Sequence, residues 1–325
     1  MNPDIRIGTR ESELAVWQAT LVKNMLAENG YSSTLVFIKS DGDVDLKTPL
    51  YEMGVQGIFT KSLDIALLNN AIDIAVHSMK DVPTQLPAGI VQGAVLRRGN
   101  YKDLFVGNQE LGIGDRESTA NLLDSLLLKE FELSTADGRF TLATSSIRRK
   151  AQLLHRYPNA IVENLRGNVN SRLKKLAASN WDGAIFAAAG LERINLRPHN
   201  AVELDWMLPA PAQGAIMVVC RETDEKVIRA VATLNDEATA LCTKIEREFL
   251  RELLGGCSTP ISALAQLEND EIHFRGNILS IDGKEKAEVE GKVGRLTPEG
   301  FGKKMAIELL NNGGGPIADS IRNAK

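Results

Sequence analysis

Cysteine is scarce in this chain, whose 325 residues include only Cys220, Cys242 and Cys257. Three widely spaced thiols exclude a disulfide framework and a zinc site, so any cysteine function is that of a single thiol. Aromatic residues make up 5%, and they do not interleave with basic residues as in platforms that stack single-stranded nucleic acid. No apolar run reaches the roughly 18 residues of a membrane span, and Met1 to Arg10 has no signal-peptide core. A cytoplasmic protein is expected. The Gly-x-x-x-x-Gly-Lys-Ser/Thr loop is missing as well, which excludes a P-loop nucleotide site.

What remains is a globular composition, 43% hydrophobic and 25% charged, in a chain long enough for two or three cores. The net charge of −4 argues against general nucleic-acid binding. Its distribution says more. Between Thr141 and Arg197 there are ten Lys or Arg residues against three acidic ones. A basic middle in an acidic protein points to a localised anion site, the competing reading being a solvated helix face.

Periodicity divides the chain into three units. The first reads as strand Ile5 to Gly8, helix Glu11 to Asn29, strand Thr34 to Lys39, a polar loop Ser40 to Gly57, helix Ile58 to Asn70 and a strand from Ile72 to Val76. This β-α-β-α-β order predicts a parallel sheet. The second unit, from about Tyr101, repeats strand and helix three times: Thr141 to Ala143 with Ser146 to Arg156, Ala160 to Glu163 with Val169 to Ser179, and Gly183 to Ala187 with a short helix near Leu191. Pro209 and Pro211 mark a boundary, and Ala215 to Cys220 reads as a buried strand. The last unit is a helix, Asp236 to Leu254, three strands (Ile261 to Leu267, Glu271 to Leu279, Ala287 to Val293) and a helix, Pro298 to Asn312. The fold class is α/β: two periplasmic-binding-protein-like domains around a cleft, plus a small C-terminal α+β domain. The expected partition is 1–98 with 213–232, then 101–208, then 235–325.

Asp73-Ile-Ala-Val-His-Ser-Met-Lys-Asp-Val-Pro83 is the most informative stretch. A buried strand delivers Ser78, Lys80 and Asp81, and Pro83 stops the element. In open α/β sheets ligands sit at the carboxyl ends of strands, so a hydroxyl, an ammonium and a carboxylate there read as a reaction site. Basic residues recur at similar junctions: Arg10 and Ser12; Ser145, Ser146, Arg148 and Arg149; Arg166, Gly167 and Arg172; and Arg193. Helix N-termini with hydroxyls and guanidinium forks receive carboxylates or phosphates. Cys220 and Cys242 read as small core residues. Cys257, in Gly255-Gly-Cys-Ser-Thr-Pro260, is a candidate reactive or modified thiol, and no histidine can be assigned as its base.

These pieces resemble the porphobilinogen deaminase (hydroxymethylbilane synthase) family over essentially the whole chain. The matching segments are Ile7 to Ala19, Asp73 to Pro83, Ala143 to Arg149, Leu165 to Val169, Ala188 to Arg193, Pro211 to Ala215 and Gly255 to Pro260. The resemblance implies a dipyrromethane cofactor held covalently by Cys257; no metal is expected, from the scatter of the cysteines. It implies four condensations of porphobilinogen, each losing ammonia, followed by release of linear hydroxymethylbilane by water. A monomer is expected, and charge and hydropathy lead to no nucleic-acid or membrane partner being expected. Asp81 would be the catalytic carboxylate, opposing charge on an azafulvenium-like species. Ser78, Lys80, Ser145, Ser146, Arg148, Arg149 and Gly167 would hold the cofactor. Arg10, Ser12, Arg149, Arg166, Arg172, Arg193 and Gln213 would hold substrate. In the loop, Gln56 and Glu52 stand where the family usually has lysines, Lys61 is a candidate substitute, and Phe59 matches an aromatic near the cofactor. A rival reading is a non-catalytic small-anion binding protein of the same two-lobed fold; a narrower one is a catalytically impaired deaminase-like chain.

Overall fold

The computed structural model describes residues 4–39, 60–108, 140–253 and 259–323. The first sheet is built from β1 (Ile5–Thr9), β2 (Ser33–Phe37), β3 (Ile74–Ser78), β4 (Ile90–Val95) and a strand from far along the chain, β10 (Ile216–Arg221), in the order β2-β1-β3-β10-β4. β1 runs parallel to β2 and β3, whereas β10 runs antiparallel to both β3 and β4. The sheet is therefore mixed, a departure from the parallel sheet that the local β-α-β-α-β order predicts. The reversal comes from β10, which is inserted between β3 and β4 after the chain has passed through the second unit.

Alternation along the strands explains why they are almost wholly apolar. Ile74, Val76, Ile216, Val218 and Cys220 face one core with α1 (Glu13–Glu28). Ala75, Met217 and Val219 face another with α2 (Lys61–Leu68). A sheet covered on both faces needs apolar residues at both parities. α1 buries Gln18, Ala19, Val22 and Leu26, one stripe at helical spacing. It ends where Gly30 takes φ +80°, with Gly30 N–H donating to Ala27 and Tyr31 N–H to Leu26.

Asp73, a carboxylate expected inside an apolar strand, lies just before β3. It accepts a bidentate pair from Arg6 (Nε 2.9 Å, Nη2 2.7 Å), the Arg6 backbone N–H (2.9 Å) and Arg221 Nη2 (3.0 Å). Burial works against the charged form, but these donors win and hold the carboxyl down at about 2. The charge is thus a pin joining β1, β3 and β10.

The second sheet has the order β7-β6-β8-β5-β9, from β5 (Asp103–Gly107), β6 (Thr141–Ala143), β7 (Ile161–Glu163), β8 (Gly183–Ala187) and β9 (Val202–Glu203). Helices α3 (Ile147–Arg156), α4 (Val169–Ala177) and α5 (Ala188–Glu192) follow β6, β7 and β8. Leu153 of α3 packs on one face, and Leu176 and Leu191 on the other. Two chain segments link this unit to the first, and Gly99 N–H bonds Gly214 O at 3.0 Å where they run side by side.

After α6 (Glu225–Ala232), helix α7 (Glu237–Leu253) covers the antiparallel sheet β11-β12-β13 (Ile261–Glu268, Glu271–Leu279, Lys286–Gly294). The final helical stretch is two helices, α8 (Phe301–Leu309) and α9 (Gly315–Asn323), where one was expected. The break falls at Gly313, in the left-handed region at φ +98°.

Glu246 of α7, fully buried, joins this unit to the links: it takes Arg98 Nη1 (2.6 Å) and Nη2 (3.1 Å), Ala212 N–H (2.6 Å) and Ala265 N–H (2.8 Å). Among the described residues, no helix is long and apolar enough to cross a membrane.

Candidate active site

Ser78 is the last residue of β3, one step earlier than a site beyond the strand would require, and a single 3₁₀ turn, Met79–Asp81, carries the rest of the motif. The strand end is held from three sides. Gln18 of α1 donates to Ser78 Oγ at 2.9 Å, Met79 N–H donates to Ala215 O at 3.0 Å, and Lys80 Nζ reaches Gln213 Oε1 at 3.4 Å. Asp81 is half-buried and lines a pocket of about 80 Å³ with Arg10, Ser12, Gln18, His77 and Ser78. Ser12 precedes α1 but its hydroxyl makes no capping bond.

Across from this turn stand the junctions of the second sheet. Ser146 caps α3 by accepting from Arg149 N–H (3.5 Å), and Asn168 caps α4 by accepting from Ser171 N–H (2.9 Å). Gly167 takes φ +114°, and a Cβ there would come within 2.9 Å of Ser171 Cβ, so glycine is required. Arg172 turns back to donate to Gly167 O at 2.8 Å.

The charges meet. Burial pushes the Arg172 guanidinium down to about 10, Arg149 and Arg166 push the same way, and Asp81 opposes them. Burial likewise lowers the Lys80 ammonium to about 8; Asp81 and Asp103 oppose it, Arg149 and Arg148 reinforce it. Asp81, Lys80, Arg149, Arg166 and Arg172 therefore share one electrostatic environment. Arg193 is lowered by burial to about 10; it donates to Gly214 O (2.6 Å) and lies 5.7 Å from the Trp17 ring centre.

Asp103 was not singled out by the sequence, yet it organises this side. Fully buried at the start of β5, it accepts from Arg148 Nη2 (2.7 Å), Arg149 Nη2 (2.7 Å) and Nε (3.1 Å), and Gln213 Nε2 (2.9 Å). Burial disfavours its charge, but the two guanidiniums hold it well below the usual carboxylate range. Arg148 also donates to Leu208 O (2.7 Å), Arg149 to Ile185 O (2.9 Å) and Gln213 to Tyr101 O (2.7 Å). These three side chains are thus committed to protein partners on at least one edge. Lys80, Gln213, Asp103 and Arg149 form one chain from the Asp81 turn to the head of α3.

The family model described as porphobilinogen deaminase, dipyromethane cofactor binding domain, matches residues 5–229, and the one for the C-terminal domain matches residues 240–311. The chain belongs to the porphobilinogen deaminase family. A porphobilinogen deaminase of Moorella thermoacetica is 40% identical over 98% of this chain and 97% of its own length. A probable porphobilinogen deaminase of Methanocaldococcus jannaschii is 38% identical over 94% of this chain and all of its own. Among solved structures, the methionine binding protein MetQ aligns with 73% of this chain and 92% of its own at 12% identity and a TM-score of 0.41.

The cofactor named in that family description is a pyrrole-based group, and the residues present fit an acidic ligand of that kind. Arg149 and Arg166 both press on Arg172, which Asp81 opposes, and Arg149 keeps its own pair with Asp103; a polycarboxylate adds the negative charge that Arg172 lacks. Cys257, Gln56, Glu52, Phe59 and the stretch 109–139 lie outside the described residues. Lys61 opens α2 and is exposed. Ser145 is half-buried beside the α3 cap. Cys220 and Cys242 are buried, and burial raises both thiols to about 11, as expected of core residues. Among the described residues, no group of His, Cys, Asp and Glu could hold a metal ion.

Proposed function

We propose that this member of the porphobilinogen deaminase family condenses four porphobilinogen molecules head to tail with loss of ammonia. Water then releases linear hydroxymethylbilane for tetrapyrrole synthesis. The observation that carries the reading is the meeting of Lys80 and Arg172 with Asp81 at the end of β3, where Arg149 and Arg166 also press on Arg172 and a second carboxylate, Asp103, is already taken up by Arg148 and Arg149. Each pyrrole ring of the substrate bears an acetate and a propionate, so a growing chain of them needs many cations and few carboxylates. Asp103 is buried and bonded to Arg148 and Arg149, so the role of opposing charge on the substrate falls to Asp81.

Dipyrromethane, attached through Cys257, supplies the primer to which substrate pyrroles are joined. Ser78, Lys80, Ser145, Ser146, Arg148, Arg149 and Gly167 would hold it, and Arg10, Ser12, Arg149, Arg166, Arg172, Arg193 and Gln213 would hold the incoming substrate. Within that division, Arg148, Arg149 and Gln213 act partly through Asp103, which fixes their orientation. As ammonia departs, positive charge develops on the substrate. Asp81 stabilises that charge electrostatically and can accept a pyrrole proton. A preorganised charge of this kind is worth roughly 10²- to 10³-fold in rate.

On this reading the chain is divided into 1–98 with 213–232, 101–208 and 235–325, and acts as a cytoplasmic monomer without nucleic acid. The grouping of β10 with β1 to β4 supports the discontinuous first part. The test is turnover of porphobilinogen by wild type and Asp81→Asn. Wild type is expected to consume substrate, and Asp81→Asn to fold with kcat lower by ~10²-fold or more. Near-normal turnover by the variant removes Asp81 from the chemistry.

A further inference from the structure

The turn that carries Asp81 is closed by Val82 N–H donating to Met79 O at 3.1 Å. Pro83 has no N–H, so the element stops there. A further donor to its carbonyls comes from the third unit. Arg247, on the long helix α7, donates from Nη1 to Val82 O (2.9 Å) and Met79 O (3.5 Å) and from Nη2 to Pro83 O (2.6 Å). One guanidinium thus spans both ends of the Met79–Pro83 segment, and its planar fork suits divergent carbonyls in a way an ammonium does not. Arg247 is half-buried, which strengthens charge-assisted bonds to carbonyls relative to open solvent.

The same helix ends at Leu253, and Cys257 follows ten residues after Arg247. The adjacent residue on α7, Glu246, grips Arg98 and Ala212 in the two links between the sheets. α7 is therefore a rigid element joined to the Asp81 turn by Arg247 and to the links by Glu246, and it leads directly to the segment bearing Cys257.

We infer that Arg247 is a positioning residue for the condensation: it fixes the Asp81 turn relative to the helix that leads to the cofactor-bearing cysteine. This rests on the proposed activity. Arg247 acts by holding the backbone on either side of the carboxylate. A misplacement of about 1 Å at a reacting group costs on the order of 10²-fold in rate, so the effect falls on kcat.

The experiment compares wild type with Arg247→Lys, Arg247→Met and Arg247→Ala, after intact mass has shown each to carry its cofactor. Arg247→Met is expected to lose roughly 10- to 100-fold in kcat with KM within about twofold. Arg247→Lys, which keeps the charge without the fork, is expected to fall between Arg247→Met and wild type. Millimolar guanidinium is expected to restore part of the kcat of Arg247→Ala, and amide exchange at Met79 and Val82 to quicken in Arg247→Met. If Arg247→Met does not fold, Arg247→Lys decides. Wild-type kcat in a folded Arg247→Lys or Arg247→Met, a loss carried by KM, or a loss explained by missing cofactor overturns the inference. Failure of wild type itself to consume porphobilinogen counts against the activity, separately from Arg247.

Discussion

Replacing Asp103 by Asn tests how the arginine-rich face is held in place. Among the described residues, Asp103 is the carboxylate bonded to both Arg148 and Arg149, with four hydrogen bonds at 2.7 to 3.1 Å and no exposure of its own. Asparagine keeps the shape and one acceptor oxygen but no charge. Two guanidiniums, each about 4% exposed, are then left without an ionic partner at this position. Removing one member of a buried ion pair costs about 3–5 kcal/mol, and the retained acceptor places the expected loss near the lower figure. With a urea m-value of about 3 kcal/mol per M, a loss of about 3 kcal/mol lowers the midpoint by about 1 M.

Tryptophan fluorescence can follow this transition, because Trp181 and Trp206 pack in the same unit. Adding Arg148→Met to Asp103→Asn removes one stranded cation. It should recover about 1 kcal/mol or more, a coupling expected of residues in direct contact. An Asp103→Asn midpoint equal to wild type, or no recovery in the double variant, would refute the claim that this carboxylate neutralises the pair.

Two further predictions concern pH. The Asp73 carboxyl is held at about 2 against an ordinary 3.8, and the group is only 13% exposed. Its stabilisation of about 2 kcal/mol is therefore present above pH 4 and lost as pH falls from about 4 to about 2. Asp73→Asn should be less stable by that amount at pH 7 and converge with wild type near pH 2; a constant gap down to pH 2 contradicts the ion-pair account. Lys80, lowered to about 8, is charged below that pH and neutral above it. Because Lys80 is assigned to the cofactor's carboxylates, kcat should fall above pH 8 in wild type and fall only at higher pH in Lys80→Arg. An unchanged limb in that variant removes Lys80 from anion binding.

The sequence reveals local features that a few neighbouring residues suffice to encode. Ser146 announces a helix start, because capping is decided within four residues; Asn168 as a cap and Gly167 as a left-handed turn carry equally local signals that the anion-site reading does not use. The Asp73 to Pro83 segment is legible for the same reason, since strand, polar residues and proline follow directly. Partners contributed from far along the chain are not legible. β10 inserts into the first sheet after a long excursion, so its antiparallel direction has no local signal.

Asp103 reads as an ordinary polar residue opening a strand, and its role depends on arginines 45 and 46 residues away. Asp73 is legible as an anomaly but not as a pin, because Arg6 and Arg221 lie 67 and 148 residues from it. Arginine pairs at α3 are legible as positive charge near a helix start. The carbonyls and carboxylate that already occupy part of their donor capacity are not. The catalytic assignment of Asp81 and the cofactor role of Cys257 come from family resemblance more than from spacing, and Cys257 lies outside the described residues.

The most direct test of the account is intact mass under denaturing conditions, for wild type and Cys257→Ser, before and after a short exposure to porphobilinogen. The account predicts that wild type exceeds its sequence mass by a dipyrromethane and gains further mass in pyrrole-sized steps with substrate. Cys257→Ser should show neither. A wild-type mass equal to that of the bare chain, unchanged by substrate, would contradict it.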